Sequence, residues 1–152
     1  MPQTRGDLDL VRSGDTLPVR VKDDPDFGLI GFKAELGLWA GRARVGSSAV
    51  EVTVVADSNG PTDRQRQLWR ALHPKLEGLS ADVAARLAAE AARTQPGPVP
   101  QAADFDLKAV RLTPESCLPG IDSALSYALE WDDEATWRAE LRGFALVAVA
   151  RG

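Results

Sequence analysis

Apolar and polar residues alternate along much of this chain, and the period changes in its middle. The densest alternation is Ala49-Val50-Glu51-Val52-Thr53-Val54-Val55-Ala56. Val50, Val52 and Val54 fall on one face of a strand, with Glu51 and Thr53 on the other. Val55 and Ala56 make its far end apolar on both faces, as expected beneath a covering helix. Asp57-Ser58-Asn59-Gly60-Pro61 then breaks the pattern, and Pro61, Thr62 and Asp63 supply the residue types that open a helix. Leu68, Trp69 and Leu72 recur at helical spacing as its buried stripe. His73-Pro74 predicts an end there. Ser80 predicts the cap of a second helix, with Val83, Leu87 and Ala91 along one side and an end near Arg93.

Strand periodicity governs both flanks. Leu8 and Leu10, then Leu17, Val19 and Val21, alternate around Arg12-Ser13-Gly14-Asp15 and predict a hairpin or arm within residues 1–26. Ile30, Phe32, Ala34, Leu36 and Leu38 predict one strand that ends at Trp39-Ala40-Gly41, and Arg42 to Val45 a short polar strand. Residues 94–104 contain three prolines and predict a long exposed loop. Beyond it, strands are expected from Phe105 to Leu112, Leu125 to Trp131, Thr136 to Leu141 and Phe144 to Ala150. Their turns fall at Asp132-Asp133-Glu134 and Arg142-Gly143. Strands, two helices and strands again lack the βαβ alternation of a doubly wound parallel sheet. The expected architecture is a single α+β domain over 1–152, with antiparallel sheet packed against a central pair of helices.

Composition narrows the function classes. A chain of 152 residues buries a core without covalent staples. The net charge of -4, with both signs spread along the sequence, argues against a dedicated nucleic-acid binder and against adhesion to an anionic membrane. No apolar run is long enough to span a bilayer. Cys117 is the one cysteine, so no internal disulfide forms, as in a reducing compartment. The polar opening Met1-Pro2-Gln3-Thr4-Arg5-Gly6-Asp7 lacks the apolar stretch of a secretory signal. The expected location is the cytoplasm, and the bias toward Ala, Arg, Gly and Pro suggests a GC-rich bacterial genome.

Candidate chemistry is sparse. His73 is the one histidine and has no acidic neighbour in sequence, so a role at a helix C-terminus is favoured over catalysis. No cation flanks Cys117 to activate its thiol. Neither Asp23, Asp24 and Asp26 nor Asp132, Asp133 and Glu134 follows a calcium-loop pattern, and both clusters read as solvated turns. No phosphate-binding loop, nucleophile elbow or zinc-ribbon pattern occurs. Trp69 belongs to the helix stripe, whereas Trp39, Trp131 and Trp137 lie near strand ends. Trp131 and Trp137 flank Asp132, Asp133 and Glu134, which together form the candidate interaction patch.

Trp39-Ala40-Gly41 with the strand resuming at Val50 is one of three features that occur together. The second is Asn59-Gly60-Pro61 followed by Gln67, Leu68 and Leu72. The third is Tyr127-Ala128-Leu129-Glu130-Trp131-Asp132-Asp133-Glu134 with its hairpin. Together they resemble small bacterial domains of unknown function of the DUF2262 and DUF6985 kind, over roughly Phe27 to Ala150. The resemblance implies an α+β domain with antiparallel sheet and a link to toxin–immunity gene neighbourhoods. Members often carry a histidine after the acidic turn, where this chain has Ala135 and Thr136, so no site transfers. The leading expectation is a non-enzymatic domain that binds another protein, with an immunity-type inhibitor as its sharper form and with no cofactor. The alternatives are a small metal-dependent hydrolase using the acidic turns, and a small-molecule-binding module with an apolar pocket between sheet and helices.

Overall fold

The computed structural model describes residues 9–12, 18–113, 120–129 and 132–151. Among the described residues, nine strands form one sheet whose spatial order follows the chain. They are β1 (Asp9–Arg12), β2 (Pro18–Asp24), β3 (Gly28–Lys33), β4 (Leu38–Val45), β5 (Ser48–Val55), β6 (Phe105–Leu112), β7 (Ser123–Leu129), β8 (Asp132–Arg142) and β9 (Ala145–Arg151). β1 and β2 pair antiparallel and extend the sheet at one edge. The turn between them lies outside the described residues.

Two expectations about this architecture are overturned. The sheet is mixed: β5 and β6 run parallel, with Glu51 opposite Ala109 and Val54 opposite Leu112, while every other neighbouring pair is antiparallel. The helices are not a packed pair. They form one helical segment from Asp63 to Thr94, made of α1 (Asp63–Leu72), a tight 3₁₀ turn at His73–Lys75 and α2 (Leu76–Thr94). Leu72, His73, Lys75 and Leu76 all keep right-handed helical dihedrals. Pro74 occupies the first turn of the 3₁₀ piece, where a missing N–H is tolerated, so the chain tightens there and continues. α2 therefore starts at Leu76, and Ser80 lies inside it. The Ser80 hydroxyl and carbonyl instead meet the Tyr127 hydroxyl, at 2.9 and 3.0 Å.

The run from Phe27 to Leu38 is a hairpin, not one strand. Lys33 O accepts from the amides of Leu36 and Gly37, and Gly37 has φ +64, so the turn falls where alternation alone predicts continuous strand. Leu36 is left exposed at its tip. At Gly41 the sheet is tight: an added Cβ would lie 2.8 Å from Ile30 Cγ2 and 2.9 Å from the Leu29 carbonyl.

The helical segment packs on one face of the sheet. Trp69, Leu72, Leu76, Val83 and Leu87 meet the valines of β5, Val110 and Leu112 of β6, Leu125 and Tyr127 of β7, and Trp137, Ala139 and Leu141 of β8. The start of α1 is fixed by a reciprocal cap, in which Thr62 Oγ1 accepts from the Gln65 amide and Gln65 Oε1 accepts from the Thr62 amide. Gln65 also donates through Nε2 to the Val55 carbonyl at 2.8 Å, tying helix start to strand end.

Candidate functional site

Three of the tryptophans belong to the core. Trp69 is buried as its helical spacing predicts. Trp39 is 1% exposed and donates from its indole to the Asp57 carbonyl at 2.8 Å. Trp137 is 2% exposed and meets the Phe105 ring edge-on at 5.6 Å. Trp131 lies outside the described residues. Asp132, Asp133 and Glu134 begin strand β8 instead of forming a turn, with Asp132 opposite Leu129. Of the expected patch, Trp137 therefore packs in the core.

Asp24 and Asp26 depart from the solvated-turn reading, whereas Asp23 is exposed at the end of β2. Asp24 is buried, and its carboxylate accepts from the amides of Asp26 and Phe27 and from Arg66 Nε and Nη2, at 2.8–3.0 Å. Burial alone would raise its pKa. The hydrogen bonds from Arg66 and the two amides, with the guanidinium charge, outweigh burial and hold it below the usual carboxylate value. Arg70 pairs with Asp26 at 2.9 Å. This loop is an anchor between the β2–β3 hairpin and α1.

His73 extends a stack of rings: Phe27 lies 5.6 Å from Trp69, and Trp69 lies 4.6 Å from His73. His73 Nε2 donates to the Arg44 carbonyl, 2.9 Å away. Tyr127 is held protonated. Burial pushes its pKa up to about 12 despite the opposing hydrogen bond with Ser80. Cys117 lies outside the described residues. Among the described residues, no group of three or more His, Cys, Asp or Glu is arranged to hold a metal, and no helix is long and apolar enough to cross a membrane.

A recess of about 460 Å³ is lined by Asp104, Phe105, Asp106, Lys108 and Leu129, at the start of β6. It lies there, not between sheet and helices, where the small-molecule alternative requires an apolar pocket. Its carboxylates are already engaged, Asp104 by the Gln101 amide at 2.7 Å and Asp106 by Lys108 at 2.8 Å.

The most distinctive surface is the face of the sheet opposite the helix. Register brings its side chains into rows. One row crosses five strands as Arg42, Glu51, Ala109, Ser126 and Arg138 and ends at Ala150 on β9. The adjacent row reads Ala40, Thr53, Arg111, Ala124, Glu140 and Ala148. Arg42, Arg44, Arg111, Arg138 and Arg142 are exposed. Among the described residues, the one carboxylate within ion-pair distance of these five is Glu140, 3.7 Å from Arg138. Every described aromatic ring lies on the helix side, or at the β8–β9 turn in the case of Phe144, beneath Lys75. The alternation that buries Val52 and Ala139 puts these arginines outward, so each position is legible in the sequence. Their convergence is not, because it depends on strand order.

Comparison of the chain with protein-family models, curated proteins and solved structures finds no match.

Proposed function

We propose that this chain is a non-enzymatic protein-interaction domain and that the helix-free face of its sheet is the interacting surface. The supporting observation is asymmetry. One face is closed by the helical segment, while the other offers short side chains, chiefly Ala, Ser and Thr, with exposed arginines among them. At about 4.8 Å per strand and 3.3 Å per residue, β3 to β9 present roughly 30 by 20 Å. That footprint, about 600 Å² in projection, is on the scale of one partner's share of a standard interface, roughly 800 Å². An immunity-type inhibitor, which blocks another protein by covering it, fits such a surface.

The test compares wild type with Ala124→Trp, a bulky block at the centre of the face, as tagged baits in host lysate after crosslinking. The reading expects wild type to capture one stoichiometric partner that Ala124→Trp loses at an unchanged melting temperature. Equal capture by both would remove this surface from the function. A bait without partner, stabilised by a divalent cation or small ligand in a thermal-shift screen, would overturn the interaction reading itself.

A further inference from the structure

We infer that the partner of the helix-free face is an acidic protein segment lying across the strands. This rests on the interaction reading above and adds the chemistry of what is bound. The chain as a whole carries -4. Yet two adjacent rows of this face hold Arg42, Arg111 and Arg138 against Glu51 and Glu140, and Arg44 and Arg142 extend the basic area along β4 and β8. On this face the five arginines outnumber the two glutamates of those rows.

All five of these cations are arginines. The planar guanidinium binds carboxylates in a two-pronged fork and suits interface ion pairs. Short neighbours leave room for that geometry: Ala109 and Ser126 separate Glu51 from Arg138, and Ala124 separates Arg111 from Glu140. Arg42 and Arg138 stand four strand steps apart, roughly 19 Å at the usual spacing, with Arg111 between them. A polypeptide crossing the strands reaches all three.

The same geometry disfavours nucleic acid. Glu51 and Glu140 sit between the arginines, whereas duplex DNA presents a phosphate charge at every step and nothing to pair with a carboxylate. Binding of single strands normally uses exposed aromatic rings for stacking, and the described rings lie elsewhere. A protein segment can place cations opposite Glu51 and Glu140 and carboxylates opposite the arginines. Charge of both signs then sets register as well as attraction.

The probe is fluorescein-labelled poly-L-glutamate, titrated with the full chain and followed by anisotropy. Duplex DNA of equal charge serves as the competing ligand. Wild type is expected to bind the polypeptide, and the double variant Arg111→Glu/Arg138→Glu to bind it at least tenfold more weakly. The control Lys75→Glu/Arg86→Glu makes the same change of net charge on the helix side and is expected to leave affinity unchanged. Circular dichroism and melting verify that each variant is folded. Absence of wild-type binding, equal loss in the control, or tighter binding of the duplex would each overturn the inference. If Ala124→Trp abolishes the native complex while the arginine reversals do not, the face stands as the interface and the acidic partner falls.

Discussion

Asp24 shows how one side chain can fasten two elements. Its carboxylate takes four hydrogen bonds, two from backbone amides and two from Arg66, and its side chain is shielded from solvent. A buried pair of this kind adds little over an apolar replacement, yet losing one partner leaves a charge stranded. Asp24→Asn is therefore expected to destabilise the fold by about 3 kcal/mol in urea titration. The pH dependence follows from the direction of the shift. The folded-state pKa lies below the ordinary 3.8, so the stabilisation is complete well above that value and is lost as pH falls through the lowered one. Wild type should lose stability below about pH 4, and Asp24→Asn should lose less over the same range. An equally steep acid limb in the variant would assign the acid sensitivity to other carboxylates. The sequence showed three aspartates near a proline. It could not show Arg66, which is 42 residues away along the chain.

At the scale of elements, the junction of β5 with α1 decides the topology. Thr62 and Gln65 cap each other, and Gln65 also satisfies the Val55 carbonyl at the strand's end. Thr62→Ala removes one capping bond and should cost about 1 kcal/mol. Gln65→Ala also leaves the Val55 carbonyl without its partner and should cost more, about 2 kcal/mol. Paired urea midpoints give the order, and a larger loss at Thr62 would contradict this account of the junction. The helical segment and the Pro-rich connection after it return the chain alongside β5 in the same direction, which makes β5–helix–β6 the one parallel crossover among the described strands. Most strands and the Thr62 cap were legible in the sequence, whereas the turn between β3 and β4 and the true start of α2 were not. Nor was the parallel pairing, because alternation describes one strand and is silent on its neighbour. Pro74 misled for a related reason: its local preference ends a helix, but Leu72 and Leu76, both fully buried, hold it on one path.

The whole molecule separates its two faces by chemistry. The helix side is a continuous core in which Trp137 fills a large volume, with its indole N–H buried and without a hydrogen-bond partner among the described residues. Trp137→Ala should cost about 3–5 kcal/mol, a large share of the 5–15 kcal/mol typical of a domain. Any loss of binding should then follow the unfolded fraction in urea. Weaker binding by a fully folded Trp137→Ala protein would instead return this residue to an interface. The opposite face tolerates charge, because its arginines are exposed to solvent. Local attraction can operate despite the overall negative charge, since screening limits exposed charges to about 8 Å at physiological salt.

The sequence by itself determined which residues turn inward. A side-chain period of two on strands and 3.6 on helices is local, so Val50, Val52, Val54, Trp69 and Leu72 identified themselves as core. The same alternation accounts for the outward Arg42, Arg111 and Arg138 once the strands are in place. The tertiary structure alone decided which strands are neighbours, that the two helical stretches are one, and that Trp137 packs into the core. It also brought arginines from β4, β6 and β8 onto one uncovered face. These are long-range pairings, set by how a whole sheet twists and buries one side, and no window of sequence contains both members of the pair.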